Sequence, residues 1–435
     1  MCLERISATA YFSMASHPDG SGRVFVSTPD GKISLASVPA TGTGAILRAI
    51  PFLDLTDQVV RLMGVAFHPE FATNGRFFVS YNCDSSTSPT CIRSAASGNG
   101  SSPFQYQLVV AEFSADSTVT RANPSEVRRI FTMGLPQQYT SYTYPQQHGS
   151  QILFHPSDGF LYLIIGNGEI EERHFDFAKN ISCLRKIIRF QIDSISGQSG
   201  GANNRTNRSG SLTAEIEAEI FATGLNDPRG CNFDSESPSY IYCANVNEQQ
   251  VESIYLISKG GNCSGSPDNA TFLIVGYGSP VPGSNTKPSI IGGLVYRGSA
   301  DPSLKGRYLY VYGFNVWAAV ETPMSSGRYA SALISNIMCS ESTPLPCTGG
   351  GIGGQVISWG EDNDKDAYIL ATGGAPSRSS SGLAWRLSTI AGSLAILISI
   401  FWKLFMAKQP VTNCSGWFGC CASNSVSCWC CNIYN

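Results

Sequence analysis

The sequence predicts an all-β chain of repeated hairpins, and three observations lead there. First, one phrase recurs about five times: an apolar and an aromatic residue, then His-Pro, Asp or Gly-Glu, a short polar turn and a β-rich run. Second, glycine (44) and proline (23) are plentiful while only 14% of residues are charged, as expected of many short strands joined by turns. Third, no stretch before residue 387 sustains helical periodicity. A strand, a tight turn and a second strand cannot bury their apolar face alone, so repetition at this scale implies hairpins packed face to face around an axis. That arrangement is a β-propeller.

The copies follow in chain order. Met14-Ala15-Ser16-His17-Pro18-Asp19-Gly20 precedes Arg23-Val24-Phe25-Val26, and Val65-Ala66-Phe67-His68-Pro69-Glu70 precedes Arg76-Phe77-Phe78-Val79. The third and clearest, Ile152-Leu153-Phe154-His155-Pro156-Ser157-Asp158-Gly159, leads into Phe160-Leu161-Tyr162-Leu163. Looser copies are Cys231-Asn232-Phe233-Asp234 before Tyr240-Ile241-Tyr242, and Ile357-Ser358-Trp359-Gly360-Glu361 before Ala367-Tyr368-Ile369-Leu370. After the polar stretch Ser377 to Gly382, about 20 mostly apolar residues from Leu387 to Met406 match the length of a single hydrocarbon-crossing helix. They also fit a buried helix or a cleaved lipid-anchor signal. Such a signal normally ends with its apolar segment, whereas this chain runs on through Cys414, Cys420, Cys421, Cys428, Cys430 and Cys431. The domain reading is 1–376 propeller, 377–386 serine-rich linker and end of the last blade, 387–406 membrane or anchor segment, and 407–435 cysteine-rich tail.

A net charge of −3 with scattered Lys and Arg gives no footprint for nucleic acid, which is excluded as a partner. Nine cysteines precede residue 387, and the pairs Cys83/Cys91, Cys231/Cys243 and Cys339/Cys347 flank turns where disulfides staple loops. Glycosylation triplets begin at Asn99, Asn180, Asn204, Asn207, Asn262 and Asn269. Together these place the protein on the secretory route, at the extracellular face of the plasma membrane. Met1-Cys2-Leu3-Glu4-Arg5 carries no signal-peptide pattern, so the natural N-terminus is expected to be missing from the chain. No Gly-x-Ser-x-Gly elbow, His-Glu-x-x-His helix or phosphate loop occurs. The run Gly349 to Gly354 reads as an inter-strand loop rather than a dinucleotide fingerprint, and His174 among Glu171, Glu172 and Asp176 as a solvated charged loop rather than a metal site.

From about Cys2 to Arg386 the chain resembles the plant hedgehog-interacting-protein-like family, whose members carry a glucose/sorbosone dehydrogenase domain. The resemblance rests on Met63 to Pro69, Arg128 to Pro136, His148-Gly149-Ser150-Gln151-Ile152-Leu153-Phe154, and Tyr296-Arg297-Gly298-Ser299 with Asp301-Pro302. It implies a six-bladed propeller followed by a single C-terminal hydrophobic helix. It also implies pyrroloquinoline quinone (PQQ) with calcium, oxidising a sugar or polyol hydroxyl. The family's His-Gly-[Gly/Ser]-Gln motif maps the base to His148, and histidine suits proton abstraction near neutral pH. On context alone His148 reads rather as a turn residue capping the following strand, and the resemblance brings the two readings level. Arg297 falls where the family carries a basic residue near the anionic quinone, or is a strand-end surface arginine.

Several positions depart from the pattern that the resemblance implies. Its Asp 19 residues after the histidine is Asn167, and an amide cannot stabilise an imidazolium by charge. Its Gly-Leu-Arg-Asn-Pro is Gly224-Leu225-Asn226-Asp227-Pro228, leaving Arg229 as the nearby cation. Its acidic metal-side phrase is Ala244-Asn245-Val246-Asn247-Glu248, so that Glu248, Glu252 and Asp227 are left to supply carboxylate to calcium. Its Gly-Gly-Asn-Tyr-Gly-Trp is Gly260-Gly261-Asn262-Cys263-Ser264, and the Gln before its Gly-Met-Met-Gly turn is absent from Gln58-Val59-Val60-Arg61. Two functions follow: a membrane-anchored, PQQ-dependent sugar or polyol dehydrogenase, with catalysis degraded at these positions, or a non-catalytic propeller binding a cell-wall carbohydrate or a protein partner.

Overall fold

The structure is a computed structural model that describes residues 2–40, 43, 45–91, 105–135, 149–166, 184–193, 216–264, 270–278, 290–313, 315–324, 326–334, 355–372 and, for their backbone, 381–388. These residues form six four-stranded sheets. The innermost strands are, in order, Ser13–Ser16, Arg61–Phe67, Gly149–Phe154, Asp227–Phe233, Ile291–Val295 and Gln355–Glu361. Among the described residues helix is confined to single turns at Phe71–Asn74 and Pro302–Leu304. The all-β propeller read from the hairpin repeats is therefore the fold.

Each sheet buries both faces, which explains why strands such as Leu161–Ile165 are apolar at every position. Six hydrophobic clusters fill the gaps between consecutive sheets. One holds Phe25 and Phe52 of the first sheet against Phe67, Phe77 and Phe113 of the second. Another joins Ile6 and Tyr368 of the sixth sheet to Val24 and Val26 of the first, so the packing returns to its start. In the first of these, the rings of Phe25 and Phe67 stack at 4.0 Å. Burying one such side chain contributes about 1.5–3 kcal/mol.

The sixth sheet is completed from both ends of the sequence. Its third strand, Ser381–Ser388, pairs with the N-terminal strand Cys2–Thr9, Leu3 opposite Leu387. Leu387 and Ser388, expected to open an apolar helix, thus belong to a strand, because the first residues of the chain offer them a complete ladder. Among the described residues no helix is long and apolar enough to cross a membrane. Residues 389–435 lie outside them, as do Cys339, Cys347, the glycine run 349–354, His174 with its acidic neighbours, and every glycosylation triplet except that of Asn262. Asn262 is exposed, and its side chain accepts from the Ser264 N–H at 3.0 Å. The pairs Cys83–Cys91 and Cys231–Cys243 are disulfides.

The recurring His-Pro phrase has a mechanical cause. His17 Nδ1 accepts from the Asp19 N–H at 3.2 Å, His68 Nδ1 from Glu70 at 3.0 Å, and His155 Nδ1 from Ser157 and Asp158 at 3.2 and 3.0 Å. Asp234 and Asp362 do the same for Glu236 and for Asp364 and Asp366. A side-chain acceptor at this position closes the turn between the two inner strands of a sheet.

Candidate functional site

The inner strands bound an axial cavity of about 570 Å³ lined from all six sheets, with Phe12, Gln151, Arg229, Asn232 and Glu361 among its walls. Its two ends differ in chemistry. Where the inner strands finish, side chains tie neighbouring sheets together. His68 Nε2 meets Asp193 at 3.0 Å, His155 Nε2 meets the Pro238 carbonyl at 2.9 Å, the Tyr296 hydroxyl donates to Asp366 at 2.8 Å, and Asn363 donates to the His17 carbonyl at 2.9 Å. Arg297 belongs to this set. Its Nε donates to Asp234 at 2.9 Å, a second donor reaches the other Asp234 oxygen, and Nη1 meets Glu236 at 2.8 Å. The Asp234 hydrogen bond, and then the charges of Asp234 and Glu236, hold the guanidinium above its usual pKa.

Where the inner strands begin, the fourth sheet gathers the other sequence candidates. Asn226 and Asp227 are both 5% exposed. Their backbone N–H groups donate to Asn245 Oδ1 at 2.9 and 3.1 Å. That double acceptance fixes the Asn245 carboxamide, so its Nδ2 faces away. Asn245 Nδ2 and Asn226 Oδ1 are both buried, and neither has a hydrogen-bond partner among the described residues. Arg229 clasps Asp227 through Nε at 2.9 Å and Nη2 at 2.6 Å.

Glu248 and Glu252 lie at the same end and serve neighbouring sheets. Glu248, 56% exposed, pairs with Arg185 of the third sheet at 2.7 Å. Glu252 Oε2 accepts from the Ile290 N–H, at the entrance to the fifth sheet, at 2.6 Å. The structure thus brings Asn226, Asp227 and Arg229 together, with Glu252 and Glu248 serving the flanking sheets. Gly149 opens an inner strand at this end, whereas Arg297 follows an inner strand at the other. Gly149 and Arg297 therefore stand at opposite ends of the ring. His148 and Asn167 lie outside the described residues.

Calcium requires six to eight oxygen donors with substantial carboxylate charge. Here Asp227 gives Oδ2 to both Arg229 donors, Glu248 gives Oε1 to an ion pair and Glu252 gives Oε2 to a backbone N–H, while Asn245 spends its oxygen on two amides. Among the described residues no cluster of three or more His, Cys, Asp or Glu side chains could hold a metal ion. The donor set does not fit calcium, and Asn226 offers a quinone carboxylate no charge.

Two features escaped the sequence reading. Asn245 stood out only as a missing acid, although its carboxamide organises the start of the fourth sheet. Arg61 stood out only as the end of a shortened loop, although it opens the inner strand of the second sheet. The available signal was a long polar side chain immediately before an apolar run.

Residues 9–303 match the Glucose / Sorbosone dehydrogenase family. The HIPL1 and HIPL2 proteins of Arabidopsis thaliana are 39% and 38% identical to this chain over 86% of its length. The chain spans 62% of the length of each. Human Hedgehog-interacting protein is 26% identical over 85% of this chain and 49% of its own. Among solved structures, a glucose dehydrogenase superposes with a TM-score of 0.54 at 14% identity, covering 89% of this chain and 99% of that one. The apo form of the soluble aldose sugar dehydrogenase of Escherichia coli gives 0.53 at 16% identity, covering 88% and 98%. These two likenesses concern the fold alone.

Proposed function

Because the chain belongs to the glucose/sorbosone dehydrogenase family, we propose that it is a six-bladed propeller that binds a carbohydrate where its inner strands begin, without quinone-dependent oxidation. One observation carries the reading: Asn226 and Asn245 present, side by side and buried, one unmet acceptor and one unmet donor. A buried polar atom without a partner costs about 1–3 kcal/mol, so such a pair is retained where a ligand satisfies it. A sugar hydroxyl both donates and accepts, and matches this pair in a way that a cation does not. The internal pairing of Asp227, Glu248 and Glu252 supports the loss of the calcium and quinone chemistry.

An extracellular setting is part of the proposal, supported by the two disulfides. Attachment to the membrane through the apolar stretch that follows Ser388, up to Met406, is proposed from sequence. A second reading, a protein ligand, draws on the similarity to Hedgehog-interacting protein.

The test is to titrate the purified protein with PQQ in the presence of calcium, follow the quinone spectrum and sugar-dependent dye reduction, and screen neutral and acidic sugars by calorimetry. The proposal expects saturable sugar binding and no saturable quinone binding. Quinone saturation with sugar-dependent reduction would restore the dehydrogenase reading, and a protein that ignores every sugar would favour the protein-ligand reading.

A further inference from the structure

Arg61 opens the inner strand of the second sheet, at the same end of the ring as Asn226 and Asn245. Its guanidinium carbon lies 5.6 Å from the centre of the Phe12 ring, and Phe12 lines the axial cavity. Its Nε is buried and has no hydrogen-bond partner among the described residues. No ion pair to Arg61 occurs among those residues. Asn82, its neighbour across the ladder, has a buried side-chain oxygen that is also unmet, and an amide cannot balance a charge.

Two other cations at this end have acids among the described residues: Arg229 has Asp227 and Arg185 has Glu248. Arg61 is half-buried, and a cation whose Nε is buried without an anion is unfavourable in a finished fold unless something supplied from outside completes it. An aromatic face offsets part of that cost and leaves the fork's donors free for a carboxylate. Burial alone pushes the Arg61 pKa down to about 10, the signature of a guanidinium that no acid compensates.

We propose that Arg61 receives the acidic group of the ligand, so that the carbohydrate bound at this end of the ring is an acidic one, bearing a carboxylate such as a uronate. This rests on the carbohydrate reading above and specifies its substrate class. Arg61 here determines specificity through a two-donor contact with the acid, while the carboxamides of the fourth sheet meet hydroxyls.

The test compares D-galacturonate with D-galactose, which differ at the C6 carboxylate, on the wild-type protein and on Arg61→Gln. It adds sulfate as a small anion carrying no hydroxyl pattern, and PQQ as a carboxylate that is not a sugar. Calorimetry on the wild type is expected to give at least ten-fold tighter binding of galacturonate than of galactose, and Arg61→Gln is expected to equalise the two. Sulfate should raise the melting temperature of the wild type and leave that of Arg61→Gln unmoved. In the absence of ligand, Arg61→Gln should melt at or above the wild type, since it removes an uncompensated charge.

Equal binding of the two sugars by the wild type, or a preference that survives in Arg61→Gln, overturns the inference while the carbohydrate reading stands. A sulfate effect that depends on Arg61 in a protein that binds no sugar sinks the carbohydrate reading and keeps the anion site. If that effect is shared by PQQ, the anion is a non-sugar carboxylate and the uronate assignment fails. A clear loss of melting temperature in Arg61→Gln means that an acid of the chain already pairs with Arg61, and overturns the inference by itself.

Discussion

Replacing Arg297 decides whether it fastens the ring or touches a ligand. Arg297→Met keeps the aliphatic stem and removes every donor. Asp234, whose side chain is 5% exposed, then keeps only the Glu236 N–H at 3.1 Å to satisfy a buried carboxylate. Breaking a buried pair by removing one partner costs about 3–5 kcal/mol. Glu236 is 54% exposed, so its share of the loss is about 0–1 kcal/mol. The expected destabilisation is therefore about 3–4 kcal/mol, concentrated at the seam between the fourth and fifth sheets. Asp234→Asn keeps the turn acceptor while removing the charge, so the double variant should be less destabilised than the sum of the two singles, with a coupling of about 1–3 kcal/mol. Equilibrium urea unfolding of the four proteins measures this. A single variant within about 1 kcal/mol of wild type, with sugar binding abolished, would refute the fastening role and return Arg297 to the ligand.

Three further outcomes follow from the same geometry. Asn226→Leu removes the unmet acceptor and should weaken sugar binding about ten-fold, about 1.4 kcal/mol, with little change in the melting curve; undiminished affinity by calorimetry would remove Asn226 from the site. Gly292→Ala would set a Cβ 2.3 Å from the Gly230 carbonyl oxygen and 2.9 Å from the Tyr308 hydroxyl, where the fourth and fifth inner strands approach most closely, and should cost about 1–3 kcal/mol in urea unfolding. Glu361 has its pKa raised, chiefly by burial, against a partly offsetting Lys365 at 3.0 Å. The fold favours its protonated form, so that contribution is whole below the unfolded value near 4.5 and is lost as pH rises through the higher folded value. Glu361→Gln should therefore gain stability relative to wild type as pH rises above about 4.5, and parallel pH profiles would contradict this.

The ring was legible because its construction is periodic. Each inner hairpin closes on a side-chain acceptor, and three of these are histidines set before a proline, which makes them conspicuous. The fifth sheet went unrecognised as a repeat because its inner hairpin departs from that device. Tyr296 and Arg297 follow the inner strand, and the acceptor is deferred to Asp301, which takes the Ser303 N–H at the head of a helical turn. The pairing of Cys2–Thr9 with Ser381–Ser388 was hidden for a different reason, since no local pattern marks a ladder between residues almost a whole chain apart.

At the site, the family resemblance singled out Asn226 and Asp227 as departures within one short phrase, and the structure sets both against Asn245. The sequence could not tell which acids were free. Asp227, Glu248 and Glu252 look like metal donors until their arginine and amide partners are seen, and those partners come from up to 63 residues away. Arg297 sits in the right kind of motif, yet strand direction sends it to the opposite end of the ring from Gly149.

Calcium binding to the wild-type protein, measured by calorimetry against a calcium-free baseline, addresses the central claim most directly. No cluster of three or more ligating side chains occurs among the described residues, and Asp227, Glu248 and Glu252 each commit one oxygen to Arg229, Arg185 and the Ile290 amide, so the account predicts no saturable heat at millimolar calcium and no change in melting temperature on chelation. A single site of micromolar affinity whose occupancy shifts the melting curve would contradict it.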